Sequence, residues 1–119
     1  MVKCVGPTIS KKDIERLGEN MQFNPQMDDL ANLLSLTASS TRLKIFYLLA
    51  ELKELCVCDI AEILDVSVPA ISQHLSKFKA YGLVKYRRNN QTLYYSLMDT
   101  AFSKTIKTLL SQSLTEEKA

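Results

Sequence analysis

Acidic residues are missing from one long stretch of this chain. Between Val66 and Met98 there is no Asp or Glu, while Lys77, Lys79, Lys85, Arg87 and Arg88 give that span a local charge of +5. The whole chain carries only +2; the remainder, with 10 basic and 13 acidic residues, stands at −3. A positive segment attached to a negative remainder is an electrostatic footprint for a polyanion; a solvated basic face without a ligand has the same composition. Long apolar runs are also absent. None approaches the roughly 18 residues of a membrane span, so no membrane partner is expected. The first residues, Met-Val-Lys-Cys-Val-Gly-Pro, lack the apolar core of a secretory signal, which makes the cytoplasm the expected compartment. Cysteine is scarce and odd in number, three in all. In a reducing compartment that excludes a disulfide scaffold. Histidine occurs once, as His74. With no Cys-x-x-Cys and no βαβ pattern either, a thiol oxidoreductase lacks its motif and its base, and the chain is not expected to be an enzyme.

What is present is a helix, a tight turn and a helix. Ile60, Ala61, Ile63 and Leu64 recur at helical spacing. Asp65-Val66-Ser67 breaks the run. Ser67 is suited to cap a second helix, and Pro69 fits its first turn, where a missing N–H costs nothing. Ile71, Leu75 and Phe78 then share one face, leaving Ala70, Ser72, Gln73, Ser76, Lys77 and Lys79 largely outward, and Gly82 is a helix stop. Two short helices with small polar and basic side chains on the second is the form that enters a major groove. A helical hairpin in an all-α core shows the same pattern; the segment after Gly82 separates the two.

There the period changes from 3.6 to 2. Residues 83–88 and 91–97 read as two β-strands joined at Asn89-Asn90, since Asn tolerates the positive φ of a tight turn. This is a wing, with Arg87, Arg88, Asn89, Asn90 and Gln91 at its tip placed for phosphate or the minor groove. Tyr86, Leu93 and Tyr95 are expected to anchor it. Upstream, Ser10 caps a short helix to about Asn20. Met27 to Thr37 is a helix apolar on most sides, either a central core helix or a subunit contact. Arg42 to Leu52 is amphipathic, with Leu43, Phe46, Tyr47, Leu49 and Ala50 inward. Asp99 begins a last helix to about Ser113, whose stripe of Phe102, Ile106, Leu109 and Leu110 suits its own core or a partner.

The expected fold is mainly α with a β-hairpin wing, a winged helix-turn-helix in the order α-α-α-α-β-β-α. Residues 1–26 form an arm with a short helix, 27–114 the DNA-binding and dimerisation domain, and 115–119 a frayed tail. Within the second helix Ser72 and Gln73 are the best base-edge readers, because Gln can pair with adenine bidentately. Ser67, Pro69, Ala70, His74 and Lys77 complete the expected DNA-binding set on that helix.

Glu54-Leu55-Cys56-Val57-Cys58-Asp59-Ile60-Ala61, Val66 to Leu75, Gly82-Leu83-Val84 and Tyr94-Tyr95-Ser96-Leu97 together resemble the ArsR/SmtB family of metal-responsive bacterial repressors, over roughly Met27 to the end. The resemblance implies a homodimer that binds a double-stranded palindromic operator without any cofactor. It also implies release when an inducer ion binds, which derepresses a resistance operon. In the cadmium- and lead-sensing members the site is a Cys-x-Cys pair completed by cysteines of the N-terminal arm. The matching metal ligands here are Cys56, Cys58 and Cys4. The position of a fourth ligand holds Thr8, and the third cysteine of arsenic sensors is replaced by Ala61. The zinc site of other members needs His on the last helix, which has none. Three sulfurs suit Pb(II), As(III) or Hg(II), and Cd(II) with an added oxygen ligand. Residues i and i+2 diverge by about 200° in a helix, so Cys56 and Cys58 can share an ion only if Cys56 stands at the helix start or the turn is distorted. Sensing of oxidants or sulfur species by the same cysteines is the alternative.

Overall fold

A computed structural model of the chain describes residue 6 and residues 8–118, with side chains to residue 114. The chain divides into two compact units, Met1–Leu33 and Leu34–Ala119. The first holds α1 (Lys11–Gln22) and most of α2 (Pro25–Thr37). Ser10 caps α1 as expected, its Oγ accepting from the Asp13 N–H at 3.1 Å. α2 starts two residues earlier than its apolar pattern, because Asn24 caps it and Pro25 occupies the first turn. No residue of α1 is buried, and in α2 only Leu36 and Thr37 are.

The second unit carries the winged fold: α3 (Ser40–Leu52), β1 (Leu55–Cys56), α4 (Val57–Leu64), α5 (Val68–Ala80), β2 (Val84–Asn89), β3 (Thr92–Leu97) and α6 (Ala101–Lys118). α3 starts at Ser40 because Ser39, in extended conformation, accepts from the Arg42 N–H. The turn between α4 and α5 is the anticipated triplet. Asp65 takes the left-handed conformation (φ 54°) and the Val66 N–H closes on the Ala61 carbonyl. Ser67 then caps α5, accepting from the Ala70 N–H at 3.3 Å. At the far end Gly82 (φ 74°) forms a two-bond C-terminal lock. Leu83 N–H donates to the Phe78 carbonyl and Gly82 N–H to that of Lys79.

The core of the second unit is assembled from one face each of α3, α4 and α5. Ile45, Phe46, Leu49, Ile60, Ile71, Leu75 and Phe78 are buried, with Leu83, Val84, Tyr95 and Ile106 closing it from the wing and α6. The expected inward face of α3 is corrected by a fraction of a turn. Ile45 is fully buried, whereas Leu43, Tyr47 and Ala50 are half-buried.

Two differences concern the wing. The sheet has three strands, not two, in the order β1-β3-β2, all antiparallel. The added strand is Leu55–Cys56. The hairpin turn is Asn90-Gln91 rather than Asn89-Asn90: Asn89 pairs with Thr92, and Asn90 alone has positive φ, 60°. Either register puts Asn in the left-handed slot, so composition could not separate them. Tyr95 anchors the wing and Leu93 is half-buried. Tyr86 stays 40% exposed, its ring 5.5 Å from Tyr95 and covered by the Lys79 ammonium at 4.3 Å. α6 begins at Ala101, after Asp99 and Thr100, and continues past Ser113 to Lys118. Thr100 caps its start through the Ser103 N–H.

Candidate nucleic-acid interface and thiolate pair

α5 presents a row of exposed residues along the side opposite its core face. Ser67, Pro69, Gln73 and Lys77 are exposed; Ala70, Ser72 and His74 are half-buried. The first turn carries no acidic residue and the last carries Lys77 and Lys79, so the surface offered to a phosphate backbone is free of negative charge and cationic at its C-terminal end. His74 is half-buried beside the exposed Gln73. Partial burial, and then the charges of Arg42 and Lys77, hold its imidazole below the ordinary pKa. At neutral pH it is an uncharged donor and acceptor rather than a cation. Arg42 itself fixes the end of α2, with Nη1 donating to the Leu36 carbonyl at 2.9 Å.

The wing extends the basic surface. Lys85, Arg88, Asn89, Asn90 and Gln91 are exposed along β2 and its turn. Arg87 stands apart. Its Nε and Nη2 donate to both carboxylate oxygens of Glu54 at 2.8 Å, and its guanidinium lies 4.7 Å from the Tyr94 ring centre. The hydrogen bonds from Arg87 hold the Glu54 carboxyl below the ordinary carboxylate range and push Arg87 up in turn. Glu54 was not singled out by sequence reasoning, because its partner lies 33 positions away and is set only by the sheet register.

Cys56 and Cys58 bracket the junction of β1 and α4. Cys56 is the N-cap of α4, with φ −87° and ψ 164°, and its side chain makes no capping hydrogen bond. It is therefore outside the helix, and the 200° divergence of i and i+2 positions does not apply to this pair. Both thiols are reduced; Cys56 is half-buried and Cys58 exposed. Their chemistry suits a soft, thiophilic ion. The uncapped amides of the α4 N-terminus favour an anionic thiolate complex beside them. Among the described residues no group of three or more His, Cys, Asp or Glu side chains is gathered for a metal, so two sulfurs are a partial site. Cys4 lies outside the described residues. Thr8, at the missing fourth position, is exposed.

A helix-turn-helix whose second helix is followed by an antiparallel wing defines a winged-helix DNA-reading domain. Residues 39–86 match the family model described as the bacterial regulatory protein arsR family. The chain is 39% identical over 90 residues to a cadmium resistance transcriptional regulatory protein CadC homolog of Staphylococcus aureus, covering 76% of this chain and 68% of that one. It is 34% identical over 99 residues to a transcriptional repressor SmtB homolog of Synechocystis, covering 83% and 74%. The crystal structure of NolR from Sinorhizobium fredii superposes with a TM-score of 0.66 at 32% identity, covering 90% of this chain and 95% of that one. The chain belongs to the arsR family of bacterial regulatory proteins. It is a transcriptional regulator with a DNA-binding winged-helix fold, not an enzyme. Among the described residues no helix is long and apolar enough to cross a membrane.

Proposed function

We propose that the protein is a cytoplasmic repressor that holds palindromic operator DNA as a metal-free homodimer. A thiophilic ion of the Cd(II), Pb(II), As(III) or Hg(II) class binds Cys56 and Cys58 and releases it, derepressing a resistance operon. Cys4 supplies the third sulfur. Ser67, Pro69, Ala70, Ser72, Gln73, His74 and Lys77 meet the major groove, and Arg88, Asn89, Asn90 and Gln91 meet the backbone or minor groove beside it.

The observation that carries this reading is the place of Cys56. One residue ends a strand of the wing sheet and caps the first helix of the helix-turn-helix. An ion that draws Cys56 and Cys58 together therefore acts at once on the sheet that carries the wing and on the helix that supports α5. The cadmium resistance regulator among the relatives supports the ion class. The homodimer is supported by the apolar residues left exposed on the first unit: Phe23 at 80% and Met27 at 54%.

The test is an operator fluorescence titration with and without Cd(II), Pb(II) and As(III), for wild type and for Cys4→Ser, Cys56→Ser and Cys58→Ser. Wild type is expected to lose affinity by roughly 5- to 150-fold, the usual span of such couplings. The Cys56 and Cys58 variants are expected to stay bound. Release only after an oxidant, with no thiolate-to-metal absorption band, would replace the ion by a redox signal.

A further inference from the structure

Three cross-strand neighbours occupy one row of the wing sheet. Cys56 pairs with Tyr94, and Tyr94 pairs with Arg87. Residues directly opposite on antiparallel strands point to the same face, so Cys56, Tyr94 and Arg87 share the outer face. Tyr94 stands on the central strand between the other two, with the Arg87 guanidinium 4.7 Å from the centre of its ring. Glu54, two residues before Cys56 and so on the same side of the extended segment, closes on Arg87 with two parallel 2.8 Å hydrogen bonds. A bidentate carboxylate–guanidinium pair fixes orientation as well as distance.

From this we infer that Glu54 and Arg87 form a clasp that ties the wing to the thiolate strand, and that Arg87 is a positioning residue rather than a phosphate contact. The inference rests on the proposed metal-responsive function and adds the route by which the signal reaches the wing. In the metal-free protein the clasp ties β2 to the segment leading into β1, across the intervening β3. When an ion takes Cys56 and Cys58, the Glu54–Cys56 segment is repositioned, and the clasp carries that displacement into β2 and the turn at Asn90-Gln91. The coupling passes through a named two-residue contact, whose removal separates ion binding from DNA release. Glu54 neutralises the Arg87 charge and fixes its orientation, so the wing meets phosphate through Arg88 instead.

Two measurements on the full-length protein test this, both with an operator duplex. In the first, operator affinity is measured with and without Cd(II), alongside the thiolate-to-metal absorption band. Glu54→Gln is expected to fold, to bind operator within about threefold of wild type and to keep the band. Its Cd(II)-induced loss of affinity is expected to shrink by about tenfold. The charge reversal Glu54→Arg with Arg87→Glu is expected to restore the response. In the second, the salt dependence of metal-free binding is compared. Arg88→Gln is expected to flatten the slope by about 1.8, one phosphate contact from each protomer, and Arg87→Gln to leave it unchanged. If Glu54→Gln releases operator as wild type does, the clasp is overturned while the thiolate site stands. If Glu54→Gln loses the absorption band, Glu54 is an ion ligand and the clasp is again wrong. A slope lowered by Arg87→Gln makes Arg87 a phosphate contact and overturns its positioning role. If wild type itself shows neither band nor release, the metal reading fails and the clasp's role in release fails with it.

Discussion

The single residue on which most depends is Cys56. Its extended backbone (φ −87°, ψ 164°) lets it end a strand and cap a helix in one position. A sulfur there is less constrained than one inside the helix, which resolves the geometric objection that the Cys-x-Cys spacing raises. The Cys56–Cys58 pair stood out in the sequence because cysteine is rare and the spacing distinctive. His74 was legible only as a residue type: nothing in its neighbours along the chain announces the charge of Arg42, 32 positions before it. That environment gives a pH prediction. Its folded pKa lies below the ordinary value of about 6.5, so above that pH folded and unfolded chains are both neutral at His74 and stability is complete. As pH falls below about 6.5 the unfolded chain takes up a proton first, and stability declines until the folded pKa is passed. Urea unfolding between pH 7.5 and 5 is expected to show this loss in wild type and a shallower one in His74→Gln.

At the scale of elements, the helix-turn-helix is specified locally. Ser67 caps, Pro69 sits in the first turn and Gly82 terminates, each doing what its own covalent structure favours. The α4–α5 hairpin could therefore be read directly from the chain. β1 could not. A two-residue strand has no periodicity of its own; it exists because Leu55 and Cys56 find Tyr95 and Tyr94. The Glu54–Arg87 pair was hidden for the same reason, being a product of register across three strands. α5 is held to its neighbours by Ile71, Leu75 and Phe78, all without solvent exposure. Phe78→Ala removes the largest of these and is expected to cost about 3–5 kcal/mol of stability by chemical denaturation. A cost under about 1 kcal/mol would mean that α5 is packed less firmly than its burial implies.

For the molecule as a whole, the helices of the first unit leave much of their apolar surface exposed. α1 buries no residue, and Met21, Phe23, Met27 and Leu30 are each about half exposed or more. The alternation of apolar and polar positions in these helices was readable from sequence, but which surface receives them was not, since a second copy and the chain's own core present the same chemistry. The proposed homodimer assigns them to a partner. Leu30→Glu is then expected to shift the protein to monomer by sedimentation and to weaken operator binding by at least about tenfold, because two half-sites are no longer held together. The proposed function also joins two equilibria, and thermodynamic linkage makes them reciprocal: whatever factor the ion takes from operator affinity, the operator must take from ion affinity. The most direct measurement is therefore Cd(II) affinity, read from the thiolate absorption band of free protein and of the operator complex. Binding is expected to be weaker on the operator by the same factor by which Cd(II) weakens operator binding; equal Cd(II) affinities in the two states would contradict metal-driven release.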